Sequence, residues 1–102
     1  VLFWIHGGCY NAGAAWDYPG FKLAAGVNAI VVSTQYRLGF LSFFVTDAQL
    51  RASHVNFGFL DQQAALKWVQ TNIAAFGGDP KRVMIFGQSA GGGSVAAHLL
   101  MP

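Results

Sequence analysis

Residues 83–91 read Val83-Met84-Ile85-Phe86-Gly87-Gln88-Ser89-Ala90-Gly91, and the fold turns on them. Arg82 to Phe86 is a short apolar run, as a buried strand would be. Ser89 to Leu100 reads as a helix before Pro102. Between them lies G-x-S-x-G, a weak match in a glycine-rich chain but a specific one directly between a strand and a helix. In such a corner the serine backbone is strained, and its hydroxyl is pushed out above the carboxyl edge of the sheet. Gly87 and Gly91 are the support, lacking side chains where the turn nears its neighbours. The helix N-terminus behind Ser89 favours developing negative charge. A phosphate-loop reading, G-x-x-x-x-G-x-S over Gly87, Gly92 and Ser94, fails because position 93 is Gly, not the Lys that grips phosphate. Gly91-Gly92-Gly93 costs a helix roughly 1 kcal/mol per residue relative to alanine, tolerable if the helix lies very close to the sheet.

A nucleophilic serine needs a base and an orienting acid. Only 13 residues follow Ser89, and they include His98 but no carboxylate. His98 is nine positions along the same helix, about 13 Å of rise, too far for a hydrogen bond. His6 and His54 lie upstream, on the wrong side for the order Ser, acid, His. The acid and the base are therefore expected outside this segment.

Working towards the N-terminus, Val1 to Ile5 is a fully apolar strand ending at Gly7-Gly8. Acyl transfer needs backbone N–H groups converging on an oxyanion, and paired glycines allow the tight conformation that exposes them. Gly7 and Gly8 after one strand and the serine corner after another strengthen each other. His6 is expected to fix the turn rather than carry a proton. Cys9 to Phe21 is a polar loop with the turn signal Tyr18-Pro19-Gly20, and Lys22 to Gly26 forms one helical turn. Ala29 to Tyr36 is β-branched and apolar, a second buried strand. After Gly39 come an aromatic loop and an irregular polar stretch, Thr46 to Asn56.

Gly58 precedes the clearest helix. Ala65, Trp68, Val69, Asn72, Ile73 and Phe76 fall on one face, and Gln62, Gln63, Lys67, Gln70 and Thr71 fill the other. Asp61 is expected in its first turn, where negative charge suits the dipole. Gly77-Gly78 and Asp79-Pro80 stop it. Strand, loop, strand, helix, strand, helix indicates an α/β layer fold with a mostly parallel sheet and flanking helices. Three strands and two long helices cannot cover both faces of such a sheet, so residues 1–102 read as a fragment of a single domain, truncated at both ends.

Composition agrees with that reading. Hydrophobic residues make up 54% of the chain and charged residues 10%, which excludes a disordered tail. The net charge of +2 comes from a shortage of acids, with four Asp and no Glu, and six scattered Lys and Arg form no nucleic-acid stripe. A single cysteine, Cys9, excludes an internal disulfide framework and a zinc knuckle. No apolar run approaches 18 residues, so no membrane span is expected, and the start at Val1 offers no signal peptide. No His, Cys or Asp cluster has ligand spacing, so no metal or cofactor is implied.

Several long stretches, in order, resemble the type-B carboxylesterase and cholinesterase family of α/β-hydrolases over nearly all 102 residues. They are Trp4-Ile5-His6-Gly7-Gly8, Tyr36-Arg37-Leu38-Gly39, Asn56 to Gln62, Asn72 to Pro80, and Val83 to Gly92. The resemblance implies a partial α/β-hydrolase fold with Ser89 as nucleophile. It also implies an oxyanion hole from the N–H groups of Gly8, Cys9 and Ala90, and a pair between Arg37 and Asp61. Both charges would be partly buried in a charge-poor chain, which favours pairing.

Two departures matter. Cys9 stands where the family usually has a third Gly, sometimes Ala; its N–H survives, while its side chain either intrudes on the acyl pocket or points aside. Gln88 stands where cholinesterases typically carry Glu, which removes a favourable partner for a cationic choline ester. The expectation is a serine carboxylic-ester hydrolase of general specificity acting on a small-molecule ester through an acyl-enzyme, with the segment alone inactive. The alternative is a non-catalytic cell-surface or adhesion homologue on the same scaffold, against which the retained Ser89 argues. At the family level the resemblance implies a secreted or endoplasmic-reticulum protein.

Overall fold

The computed structural model describes residues 1–51 and 55–101. His54 therefore lies outside the described residues. Three strands, β1 (Leu2–Ile5), β2 (Val31–Thr34) and β3 (Met84–Gly87), form one sheet in the order β2-β1-β3. Both pairings are parallel, with Ile5 opposite Thr34 on one side and Gly87 on the other. The second strand is shorter than Ala29 to Tyr36. Ile30 lies outside the strand but gives its carbonyl to Leu2 N–H at 2.8 Å and packs its side chain against the core, and Tyr36 turns its side chain inward to the core.

β1 is central, and its two sides differ. Phe3 and Ile5 are fully buried and join Val69, Ile73 and Tyr36 in the core. Helix α4 (Phe57–Asn72) brings Val69 to that face, and Ile73 opens the 3-10 turn Ile73–Phe76 that ends it. Helix α5 (Ala90–His98) runs beside α4, with Gln62 of α4 bonded to Ser94 of α5. On the opposite face Trp4 meets Phe86 and Tyr18 at centroid distances of 4.9 and 5.1 Å. Alternate residues of a strand point to opposite faces, so a short apolar run such as 2–5 serves both.

The chain runs from β1 out to β2 on one side, then returns to β3 on the other. The carboxyl ends of β1 and β3 are thus neighbours at a topological switch point, the place where open α/β sheets hold ligands. The loop at 6–10 and the corner at 87–90 both leave the sheet there.

Several local expectations are corrected. The aromatic loop contains a helical turn, α2 (Phe40–Phe43), and the polar stretch contains another, α3 (Asp47–Arg51). Helix α1 (Phe21–Val27) is longer than one turn, and Asn28 ends it at φ 49°. Gly58 lies inside α4, which Asn56 opens at φ 64°. The reason is packing: a Cβ at Gly58 would sit 2.5 Å from Ser42 Oγ and 2.7 Å from the Arg37 carbonyl oxygen. Asp61 is consequently past the first turn, and no acid occupies that turn. Gln62, expected on the solvent side, is fully buried. Trp68 and Phe76, expected on the core face, are exposed and meet each other in a tilted contact with centroids 5.8 Å apart.

Candidate active site

At the end of β3 the chain reverses into α5 within two residues. Ser89 takes φ 54° and ψ −121°, a region that non-glycine residues seldom occupy. The turn is held by Gly91 N–H on the Gln88 carbonyl at 2.9 Å and by Gly93 N–H on the Ser89 carbonyl at 3.0 Å. Ser89 is exposed and makes no side-chain cap to its own helix. A cap would tie Oγ to a backbone N–H; here the hydroxyl is left for other partners.

Two glycines allow the sheet to support this corner. A Cβ at Gly87 would lie 2.5 Å from the Gly91 carbonyl carbon and 2.7 Å from Ile5 O. A Cβ at Gly91 would overlap Ile5 O itself. The start of α5 therefore rests directly on the end of β1. Gly7 closes the contact from the other strand: a Cβ there would fall 2.5 Å from Gln88 O and 3.1 Å from Ser89 Cβ. The glycines expected to give support, Gly7, Gly87 and Gly91, all lie at this one junction.

The loop after β1 is wound in the left-handed region over three residues, with φ of 117° at Gly8, 54° at Cys9 and 58° at Tyr10. Asn11 N–H and Ala12 N–H both donate to Gly8 O at 3.0 Å, which tightens the turn. Among the described residues, the N–H groups of Gly8, Cys9 and Ala90 donate to no protein acceptor. Free amides in a left-handed turn and at a helix N-terminus form a surface suited to negative charge. Cys9 is exposed, and its thiol is free.

His6 lies beneath this loop. It is fully buried, stacks on Tyr36 with centroids 4.4 Å apart, and Nδ1 faces the Gly7 carbonyl at 2.8 Å. A carbonyl can only accept, so Nδ1 carries the proton. Tyr36 Oη in turn donates to His6 O at 2.7 Å, and burial together with nearby Tyr10 pushes the Tyr36 phenol up to about 12. Tyr36 was not singled out from sequence as part of the site.

Arg37 and Asp61 do pair. Nε and Nη2 donate to the two carboxylate oxygens at 2.7 Å each, and Arg37 N–H adds a third bond at 3.0 Å. Those bonds hold the Asp61 carboxyl below its ordinary range and the guanidinium above its own. The guanidinium also lies 4.7 Å from the centre of the Phe57 ring. The pair is less buried than expected, with Arg37 52% exposed and Asp61 28%. It clamps the segment after β2 to α4.

Behind the loop lies a polar group centred on Gln62, which helical periodicity assigns to the solvent side. Gln62 Nε2 donates to Ser94 Oγ at 3.1 Å, and Gln62 Oε1 accepts from His98 Nε2 at 2.8 Å. Burial pushes the His98 imidazole down. The signal was present: 62, 65, 66, 69 and 73 share one helical stripe, which a tally of apolar residues alone breaks at the glutamine. Gln88 is exposed and uncharged, with Tyr18 Oη 3.5 Å from its Oε1. Among the described residues no group of three or more His, Cys, Asp or Glu side chains could hold a metal, and no helix is long and apolar enough to cross a membrane.

Comparison with known proteins gives a consistent result. The sequence model of the carboxylesterase family matches residues 1–102. A cocaine esterase of Oryctolagus cuniculus is 56% identical over 102 residues, covering 100% of this chain and 19% of that protein. A para-nitrobenzyl esterase of Bacillus subtilis (strain 168) is 53% identical over 104 residues, covering 100% and 21%. A solved thermophilic pNB esterase superposes with a TM-score of 0.93 at 52% identity, over 99% of this chain and 21% of that one. The chain spans about a fifth of the length of the relatives it matches.

Proposed function

The chain belongs to the carboxylesterase family, and from that premise we propose that it is the nucleophile-bearing segment of a serine carboxylic-ester hydrolase. Residues 1–102 are one piece of a single α/β-hydrolase domain in this reading. The observation that carries it is Ser89: exposed, at φ 54° and ψ −121°, heading a helix beside amides that have no acceptor among the described residues.

Ser89 Oγ attacks the ester carbonyl carbon, its proton passing to a histidine base outside the segment. The carbonyl oxygen becomes an oxyanion and receives hydrogen bonds from the N–H groups of Gly8, Cys9 and Ala90. Collapse of the tetrahedral adduct expels the alcohol, protonated by the same base, and leaves an acyl-enzyme. Water then attacks the acyl carbon, gives up a proton to the base, and releases the acid with Ser89 restored. Gly7, Gly87 and Gly91 hold the two halves in contact, and Arg37 with Asp61 steadies the scaffold behind them.

The specificity is that of a general carboxylesterase rather than a cholinesterase. Gln88 presents a neutral amide beside the serine, so this position offers a cationic alcohol group no counter-charge. The substrate is a small-molecule ester, in keeping with relatives named cocaine esterase and para-nitrobenzyl esterase.

Fluorophosphonate labelling of the full-length protein, with and without Ser89→Ala, tests the assignment. Labelling is expected to vanish in the variant and turnover to fall by about 10⁴-fold or more. Labelling that persists without Ser89 overturns it.

A further inference from the structure

The three glycines that open α5 each face a different neighbour. A Cβ at Gly91 would overlap Ile5 O, one at Gly92 would sit 3.3 Å from Gly87 O, and one at Gly93 would sit 3.0 Å from the Tyr10 hydroxyl. The first two seat the helix on the ends of β1 and β3. The third leaves room for a side chain that comes from the amide-bearing loop itself.

Tyr10 directly follows Cys9, and it is held at both ends. Its backbone carbonyl accepts Gly39 N–H at 2.6 Å. Its ring lies edge-on to Phe43 at 6.0 Å and against Phe59 at 5.7 Å. Its hydroxyl reaches α5, 3.5 Å from Ser94 Oγ. Ser94 is fully buried and is addressed from behind by Gln62, also fully buried.

The donors in this chain have one consistent direction. Gln62 Oε1 can only accept, so His98 donates through Nε2. Gln62 Nε2 donates to Ser94 Oγ, which leaves the Ser94 proton free to point at Tyr10 Oη. A buried amide satisfied at both ends is costly to disturb, so it fixes the Ser94 hydroxyl in place.

We propose that Gln62, Ser94 and Tyr10 are positioning residues, a polar strut that ties the loop bearing the Gly8 and Cys9 amides to the helix bearing the Ala90 amide. The inference rests on the esterase reading above. Oxyanion donors stabilise a transition state only while their spacing is held, and the two halves of this cradle come from different ends of the sequence. The strut joins them across 84 residues of chain.

The test uses Tyr10→Phe, Ser94→Ala and the double variant in the full-length protein. Tyr10→Phe keeps the ring against Phe43 and Phe59 and removes the hydroxyl alone. Each single change is expected to lower kcat about tenfold, with KM within about twofold. Affinity for a trifluoromethyl ketone, whose serine adduct carries an oxyanion, should fall in parallel, while a methyl ketone of the same shape binds unchanged. The double variant should lose no more than either single one. Losses that multiply, or a lowered melting temperature with kcat unaltered, overturn the strut. Amide hydrogen exchange over residues 8–12 separates this proposal from the esterase reading: it should quicken in both variants, and unchanged exchange refutes the strut whatever the turnover. Absence of Ser89-dependent turnover in the unaltered protein refutes the esterase reading instead, and with it any catalytic role for the strut.

Discussion

Gly91 and Ile5 meet at a separation that leaves no room for a side chain: a Cβ at position 91 would overlap the Ile5 carbonyl oxygen. This contact joins the helix that carries the Ser89 corner to the strand that carries the amide loop. Gly92 is different, since its added Cβ would meet Gly87 O at 3.3 Å, a clash that a few tenths of an ångström relieves.

Gly91→Ala should therefore separate α5 from β1 and cost about 3 kcal/mol or more, at the upper end of overpacking changes. Gly92→Ala should cost under about 1 kcal/mol, since alanine also favours the helix. Denaturant unfolding of the full-length variants, with fluorophosphonate labelling rates alongside, reads both. Equal stability in the two variants would show that the contact at 91 does not control the junction.

The Arg37–Asp61 clamp makes a pH-dependent prediction. Asp61 is held below its ordinary range by the guanidinium, so the folded state favours its ionised form. Its contribution is complete above the unfolded carboxyl value of about 3.9 and is lost as pH falls through the lower folded value. Asp61→Asn should accordingly be less stable than the unaltered protein at pH 7, with the gap closing in strong acid. Thermal melts from pH 7 to about pH 2 would check this. A gap that stays constant over that range would mean the carboxylate charge contributes nothing to the clamp.

Cys9 sits at φ 54°, where a side chain is strained and glycine is not. Replacing it with glycine removes roughly 1–2 kcal/mol of left-handed strain and adds roughly 0.5–1 kcal/mol of unfolded-chain entropy. Cys9→Gly should thus stabilise the protein by about 0.5–1 kcal/mol. Removing Cβ and sulfur from the residue whose N–H is proposed to face the oxyanion should also shift the preference among acyl chain lengths. Kinetics on a series of p-nitrophenyl esters would measure the shift, and identical profiles across chain lengths would show that the thiol points aside.

The glycines around Ser89 are legible in the sequence alone, because a strand-to-helix corner imposes its steric demands within a few residues. The same holds for Gly7 beside it, and for the short apolar runs that became β1 and β3. Gln62, Trp68 and Phe76 depart from the helical pattern for a different reason. Helical periodicity ranks faces by hydrophobicity, whereas burial follows from which neighbours arrive. Ser94 and His98 arrive at Gln62 and satisfy its amide, while Trp68 and Phe76 find mainly each other. The turns at Phe40–Phe43 and Asp47–Arg51 are too short to leave a periodic signal.

Local chain chemistry alone thus determined the parallel α/β plan and the corner at Ser89, since the plan follows from short apolar runs that alternate with a periodic helix and the corner from short-range sterics. Tertiary structure decided what lies beside that corner. The order β2-β1-β3 brings residues 7 and 89 into contact, and the fit of α5 against α4 and the loop sets Tyr10 over Gly93. Such pairings join residues some 80 positions apart, and no local pattern encodes them. They exist only once the three strands have paired and α5 has packed against their ends.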